Sequence, residues 1–136
     1  MDCVIMDVLM SIKPQYVEKI IQGEKTYEFR KTIFKQKVEN IVIYCTAPEK
    51  KIVGFFELNN IFRDNPKVLW KKFSDNGGIC KEDFFKYFES KDIGFALEIT
   101  NLNILDEFID VNDLENFIPP QSFMYINKDD FLSKND

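Results

Sequence analysis

The sequence predicts an α+β fold, a small and mainly antiparallel β-barrel of about five or six strands with short helices flanking a cleft at its mouth. Short apolar stretches typical of strands recur along the chain, and few helical stretches separate them. Gly54 lies inside one of these stretches, where it indicates a bulge or a sharp corner. The chain also contains 14 Phe and 5 Tyr, which predicts a core filled largely by aromatic rings.

A chain of 136 residues has the length of one ordinary domain, so we expect residues 1–136 to form a single domain. No apolar run approaches the ~20 residues of a membrane helix, and no signal-peptide pattern opens the chain. These features predict a soluble, cytoplasmic protein with no membrane partner. The cysteines Cys3, Cys45 and Cys80 are few and far apart, which favours reduced thiols. The chain has no histidine, the commonest zinc ligand and general base, and we predict neither a metal nor a cofactor.

The predicted order is strand, helix, two or three strands, a helical insertion and two further strands. The strands are predicted at 4–12, 25–30, 41–46, 51–62, 93–105 and 121–126. A basic loop is predicted at 31–40, and helices or helical turns at 14–22, 65–76, 81–90, 111–117 and 127–132. In the helix at 81–90, Phe84, Phe85, Tyr87 and Phe88 favour core packing over a platform for stacking bases.

One charged segment follows the first helix. Gly23 ends that helix in a left-handed cap, and the alternation from 25 to 30 predicts a strand that sends Tyr27 and Phe29 into the core. The other side chains of the strand line one surface: Thr26, Glu28 and Arg30. Lys25 lies at the mouth of the strand. A lysine beside a carboxylate could hold a phosphate or act in acid–base chemistry, whereas a surface salt-bridge ladder would contribute only about 0–1 kcal/mol.

Further polar candidates lie where other strands lead to the same mouth, at Ser11, Lys13 and Thr46. Tyr44 could stack on a base or pack against the first helix.

Two residues after the double proline, Gln121 and Ser122, could read polar edges of a ligand or cap a turn. Cys45 lies in an apolar strand, which favours a place in the core over a nucleophilic role because no histidine can activate it.

Charge is unevenly distributed. The segment 13–37, which includes Lys31, has seven basic and three acidic residues, whereas 101–136 has two basic and eight acidic residues. A polyanion would be attracted to the first segment and repelled by the second. Two solvated faces of opposite sign would give the same count.

The pattern Gly23-x-Lys25-x-x-Glu28-x-Arg30 resembles the G-x-K-x-x-E-x-R signature of the ASCH (activating signal cointegrator homology) domain, a branch of the PUA-like barrels. The segments 9–14, 52–57, 78–88 and 119–125 also look like bacterial and archaeal stand-alone members of this family. The resemblance implies a β-barrel with a cleft, lined by the Lys, Glu and Arg of the signature, that binds RNA or a nucleotide.

Within the family that this chain resembles, some members are amidohydrolases acting on an acylated cytidine, and others are ribonucleases. The resemblance would make Lys25 and Glu28 the catalytic residues of an enzyme, and Glu82 a further carboxylate. The amidohydrolase threonine falls on Glu28, which departs from that pattern.

The sequence therefore leaves three functions open. The first is a binding module for short or single-stranded RNA or a single nucleotide. The second is an enzyme acting on RNA or a modified nucleoside, and the third is an interaction domain whose acidic segment 106–115 engages a basic partner. The predicted nucleic-acid contacts are Lys13, Lys25, Thr26, Glu28, Arg30, Lys31, Tyr44 and Gln121.

Overall fold

The computed structural model describes residues 4–132 and contains one six-stranded sheet. The strands are Ile5–Ile12 (β1), Tyr27–Arg30 (β2), Lys37–Cys45 (β3), Lys51–Asp64 (β4), Gly94–Asp110 (β5) and Phe123–Ile126 (β6). The α-helices are Pro14–Ile21 (α1), Pro66–Phe73 (α2) and Lys81–Tyr87 (α3). Single 3-10 turns lie at Ser74–Asn76, Val111–Asp113 and Lys128–Asp130.

The strands lie in the order β2-β5-β4-β3-β1-β6. The β1–β3 pair is parallel and the other four pairs are antiparallel. The predicted α+β class and mainly antiparallel sheet are therefore confirmed. Within residues 4–132 no backbone pairing joins the edge strands β2 and β6 into a closed barrel. The side chain of Arg30 on β2 instead reaches the backbone carbonyl of Ser11 on β1 and the hydroxyl of Ser122, the residue before β6.

Gly54 marks a bulge in β4, as predicted. The pairing of β4 with β5 shifts register between Ile52 and Gly54. A Cβ at Gly54 would collide with the backbone carbonyl oxygen of Asn103 on β5, so the close approach of the two strands requires a glycine there.

Most element boundaries lie within three residues of the predictions, and three differ by four or five residues. β3 starts at Lys37, inside the predicted basic loop, because 37–40 pair with β1 or β4. β5 runs to Asp110, through acidic residues predicted to leave the sheet, because Asp110 still pairs with Lys51 on β4. The predicted helical turn at 111–117 shortens to Val111–Asp113.

The core lies on both faces of the central strands. One cluster joins α1 to β1 and β3 through Val8, Met10, Ile20, Ile41 and Ile43. A second cluster lies on the opposite side of the same strands and includes Leu9, Val42 and Tyr44. Because both faces of β3 are covered, this strand is apolar throughout its second half.

A third, aromatic cluster joins α2 and α3 to β2 and β5. Phe84 packs edge-to-face on Phe29 at 4.9 Å and against Phe88 at 4.8 Å, and Leu69 and Ala96 complete its buried part. This packing fixes the helical insertion beside β2.

None of the helices in the described part of the chain is long and apolar enough to cross a membrane. The thiols of Cys45, which is buried, and Cys80, which is exposed, are free. Cys3 lies outside the described residues.

Candidate functional site

A cavity of about 660 Å³ lies between α1, β2 and α3. Its floor comes from the charged segment and the strand that follows it, through Lys25, Glu28, Phe29 and Arg30. Glu28 and Arg30 are two residues apart on β2 and so point to the same side of the strand. The floor of the cavity is therefore both charged and close to the aromatic core.

Lys25 is held in the cavity by the turn that ends α1. Gly23 has φ +83, and the backbone N–H of Lys25 donates to the carbonyl of Lys19 at 3.1 Å. Since β2 begins only at Tyr27, Lys25 does not follow the strand alternation, and its ammonium comes within 3.4 Å of Oε1 of Glu28.

The ammonium of Lys25 is also bonded from the helical insertion. Its Nζ donates to the carbonyl of Gly77 at 2.6 Å, and only 3% of the residue is exposed. The aliphatic part of the side chain lies against Gly78, where a Cβ would be 2.6 Å from Cβ of Lys25. The Gly77–Gly78 turn thus contacts both the ammonium and the aliphatic part of the Lys25 side chain.

Arg30 connects Glu28 to the opposite edge of the sheet. Its Nη1 lies 3.1 Å from Oε2 of Glu28 and donates to the carbonyl of Ser11 at 3.4 Å. Its Nη2 donates to Oγ of Ser122 at 2.6 Å. Lys25 and Glu28 are buried and the Arg30 side chain is only 13% exposed, so the three charges form a largely buried network, which corrects the alternative of a surface salt-bridge ladder.

Burial changes the proton affinity of the ionisable groups in the cavity. Desolvation lowers the pKa of Lys25 from 10.5, while the charge and hydrogen bond of Glu28 oppose this shift. Desolvation also raises the pKa values of Tyr16 and Tyr87 above 10.0, and Glu28 contributes to both shifts. The lysine thus releases its proton more readily than a free lysine, and both phenols retain theirs.

The walls of the cavity bring together residues that are far apart in the sequence. One wall comes from β1, α1 and the end of β3: Ser11, Ile12, Lys13, Gln15, Tyr16 and Thr46. Gln121 lies beside Ser11, which bonds to Pro120 and Ser122 on either side of it. Another wall comes from α3 and the segment before it: Ile79, Asp83, Lys86 and Tyr87.

Five of the predicted contact residues line this cavity: Lys13, Lys25, Glu28, Arg30 and Gln121. Ser11 and Thr46 line it as well.

Three predicted contact residues do not line it. Thr26 points elsewhere, and its backbone bonds to Asn76 and Ile99. Lys31 is exposed and places its ammonium 4.7 Å from the ring centre of Tyr87. Tyr44 is 2% exposed and packs in the second core cluster, 5.5 Å from the ring of Phe117. Because this cluster covers the ring and includes no residue of α1, Tyr44 does not pack on α1 and a base could not stack on it.

Sequence reasoning missed most of the α1 and α3 contribution. Tyr16, Asp83, Lys86 and Tyr87 line the cavity, whereas Glu82 does not. The spacing of Asp83 and Tyr87, one helical turn apart, is a signal that could have indicated a shared face. The described residues hold no group of three or more His, Cys, Asp or Glu side chains suited to a metal ion.

Comparison with known proteins agrees with this architecture. The crystal structure of ASCH from Zymomonas mobilis superposes with a TM-score of 0.82 at 27% identity, over 90% of this chain and 89% of the other. The N-terminal domain of Staphylothermus marinus McrB shares the fold, with a TM-score of 0.57 at 13% identity over 96% and 95% of the two chains. The six-stranded sheet with its flanking helices and its match to the ASCH structure place the chain in the PUA-like class.

The sequence comparisons are more specific. An ASCH domain-containing ribonuclease of Zymomonas mobilis is 30% identical over 131 residues, which cover 91% of this chain and 86% of that protein. A family model described as a domain of unknown function, DUF365, matches residues 5–128. The chain belongs to the ASCH-domain family.

Proposed function

We propose that the cavity binds RNA or a single nucleotide, and that the ligand is short or single-stranded. The observation that carries this proposal is the buried Lys25–Glu28–Arg30 network on the floor of a 660 Å³ cavity. Buried charges are costly to maintain, so a network of this kind at the base of an open cavity marks a candidate functional site. The volume lies within the usual range of small-molecule sites.

The charges around the cavity favour a phosphate. Lys13, Lys25, Arg30 and Lys86 line it, against the carboxylates of Glu28 and Asp83. The excess of positive charge favours an anionic ligand, and the two carboxylates provide acceptors for its polar N–H groups.

The acidic C-terminal segment of the chain favours a short ligand. Residues 101–136 carry eight acidic and two basic side chains, so a long duplex with phosphates on every side would meet like charge.

Titration with short labelled RNAs at several salt concentrations tests the proposal. We expect binding that weakens as salt rises and that decreases at least about ten-fold in Lys25→Met, which removes the ammonium but keeps the length of the side chain. Lys67→Met is the matched control, because Lys67 is exposed on α2 and does not line the cavity. Absence of binding at the lowest salt would contradict the proposal.

A second candidate function is cleavage of RNA, favoured by the lowered pKa of Lys25 beside Glu28 and by the name of the Zymomonas relative. A neutral Lys25 could accept the proton of a ribose 2′-hydroxyl as that oxygen bonds to the adjacent phosphorus, while the P–O5′ bond breaks and the 5′-oxygen leaves with a proton from water. Arg30 could stabilise the negative charge that develops on the non-bridging phosphate oxygens. Incubation with total RNA should then give products that disappear in Lys25→Met and Glu28→Gln. Acylated cytidine should be incubated in parallel to separate this activity from amide hydrolysis. The chain has Glu28 where the amidohydrolases have a threonine. Unchanged turnover in both variants would remove these two residues from the catalytic role.

A further inference from the structure

The cavity has three aromatic residues in its walls and floor, and they differ in what already covers their rings. The ammonium of Lys25 lies 5.4 Å from the ring centre of Tyr16 and 5.1 Å from that of Phe29. Phe29 is also buried and packed edge-to-face on Phe84. These two rings therefore hold the lysine and have little face to offer a ligand.

Tyr87 is arranged differently. Its ring lines the cavity, and the cation over it comes from Lys31, which does not line the cavity. The cation over the Tyr87 ring thus belongs to a residue outside the cavity lining, and unlike Lys25 it does not occupy the space that a ligand would take.

Tyr87 is also held in a fixed orientation. Its hydroxyl accepts a hydrogen bond from the backbone N–H of Lys31 at 3.2 Å, and its ring packs at a steep angle against that of buried Phe88, with the ring centres 4.9 Å apart. A ring held by both contacts loses little conformational freedom when a flat group stacks on it.

Asp83 lies one helical turn before Tyr87 on α3, and both side chains line the cavity. Residues at this spacing lie on the same face of a helix. A flat group stacked on Tyr87 would therefore present its rim toward the Asp83 carboxylate, which can only accept hydrogen bonds when ionised. Cytosine presents its exocyclic amino group to such an acceptor, whereas uracil presents a ring N–H that lies between two carbonyl oxygens, which a carboxylate repels.

We propose that this face of α3 recognises the base of the bound nucleotide, with Tyr87 stacking on the base and Asp83 accepting a hydrogen bond from its exocyclic amino group. The inference rests on the proposed function and adds a preference for amino-bearing bases, such as cytosine, over uracil. Lys31 acts as a positioning residue, because it holds the Tyr87 ring without touching the ligand.

Calorimetric titration with cytidine 5′-monophosphate, uridine 5′-monophosphate and ribose 5-phosphate tests both contacts. We expect affinities to fall in that order, with the sugar phosphate at least about ten-fold weaker than the cytidine nucleotide because it has no base to stack. Tyr87→Leu should bring the cytidine nucleotide down toward the sugar phosphate and leave the sugar phosphate unchanged. Tyr87→Phe keeps the ring and should retain the difference.

Matched controls separate these contacts from effects on folding. Phe85→Leu changes a half-buried ring of the same helix that does not line the cavity, and it should leave the three affinities in the same ratio. Asp83→Ala should remove the preference for cytosine over uracil, whereas Glu82→Ala, the exposed neighbour, should retain it.

The outcomes distinguish this inference from the proposed function. Equal affinity for the cytidine nucleotide and the sugar phosphate would overturn the stacking role of Tyr87 while leaving a phosphate-binding cavity. Equal affinity for the cytidine and uridine nucleotides would overturn the role of Asp83. If none of the three ligands nor any short RNA binds, both the inference and the proposed function fail.

Discussion

The ammonium of Lys25 lies 3.4 Å from the carboxylate of Glu28, and the side chains of the two residues are only 2% and 7% exposed. The pair is not isolated, because Glu28 also contacts Arg30 and Lys25 also donates to the carbonyl of Gly77. Breaking one partner of a buried pair leaves the other without compensation and is strongly destabilising. Under the proposed function, affinity for RNA should therefore depend on the residues that position Lys25.

Gly78 is the first such residue to test. It has φ +63, and a Cβ there would be 2.6 Å from Cβ of Lys25. Gly78→Ala should therefore both strain the backbone and displace Lys25. Asn101→Ala is the control, since Asn101 also has a positive φ, +48, but is exposed and does not line the cavity. We expect each variant to lose about 1 kcal/mol or more of unfolding free energy in urea, and only Gly78→Ala to weaken binding of short RNA. Equal binding by the two variants would contradict the positioning role.

The titration of Lys25 should appear in the pH dependence of stability. Burial lowers its pKa from 10.5, so between the folded-state pKa and 10.5 the unfolded chain binds more protons, and the free energy of unfolding rises with pH. Lys25→Met should remove this rise, whereas Lys67→Met should retain it. Tyr16 and Tyr87 have raised pKa values, and their contribution to stability is lost as pH rises above 10.0. Burial likewise raises the pKa of Cys45 above 9.0. The difference between the unmodified protein and Lys25→Met in urea unfolding at a series of pH values below 9 therefore isolates the lysine, and equal slopes would contradict the assignment.

Ligand binding should follow the same proton. An anion bound by Lys25 loses its partner as pH rises through the lowered pKa, so affinity for a short RNA should fall at a pH below 10.5. Glu28→Gln removes a charge that raises this pKa and should move the fall to lower pH. A fall that stays in place in Glu28→Gln would show that another group controls binding.

Lysine should not be able to replace the guanidinium group of Arg30. The guanidinium reaches Glu28, the carbonyl of Ser11 and the hydroxyl of Ser122 at once, and an ammonium lacks the planar donor geometry for all three. Arg30→Lys should reduce the free energy of unfolding by about 2 kcal/mol. Ser122→Ala removes one of the bonds and should cost about 1 kcal/mol. Thermal or urea unfolding measures both, and equal stability of Arg30→Lys and the unmodified protein would refute the bridging role.

Asp7 provides a stability test remote from the cavity. Its Oδ1 accepts from the backbone and side-chain N–H groups of Asn40 at 3.2 and 3.0 Å, and its Oδ2 accepts from the backbone N–H of Lys128 at 2.8 Å. Asp7→Ala should reduce the free energy of unfolding by about 2 kcal/mol without changing affinity for RNA. Asp106→Ala, at an exposed position of β5, should change neither. Loss of RNA affinity in a folded Asp7→Ala protein would contradict the separation of the two roles.

The sequence was sufficient to predict α1, its end at Gly23 and the shared face of Glu28 and Arg30, because each depends on local geometry. A helix cap and a period of two residues are set by a few neighbouring residues. The same rule failed for Lys25, because β2 begins two residues later and the alternation does not extend back to it.

Tyr44 shows where alternation carries no information. Ile43 and Cys45 belong to one core cluster and Val42 and Tyr44 to another, on the opposite face of β3. A strand buried on both faces is apolar at every position, so its sequence does not indicate which face points to a ligand. The choice is made by distant residues such as Phe117, which the sequence does not connect to Tyr44.

The wall from α3 could not be placed from the sequence for a related reason. Phe84 and Phe88 are core residues and Tyr87 is not, yet all three belong to one aromatic run. Their roles separate only when Phe84 packs on Phe29 of β2, a contact between residues that are far apart in the chain.

The Arg30 bridge makes the two free edges of the sheet meet at the cavity. A phosphate that accepts hydrogen bonds from the guanidinium would compete for its N–H groups with the hydroxyl of Ser122 and the carbonyl of Ser11. Phosphate binding there would replace hydrogen bonds within the protein by hydrogen bonds to the ligand. The free energy needed to separate β2 from β6 would therefore reduce the affinity. Amide hydrogen exchange would detect this effect residue by residue. The amides of β2 and β6 should exchange faster in the ligand-bound protein, while those of the central strands keep their protection.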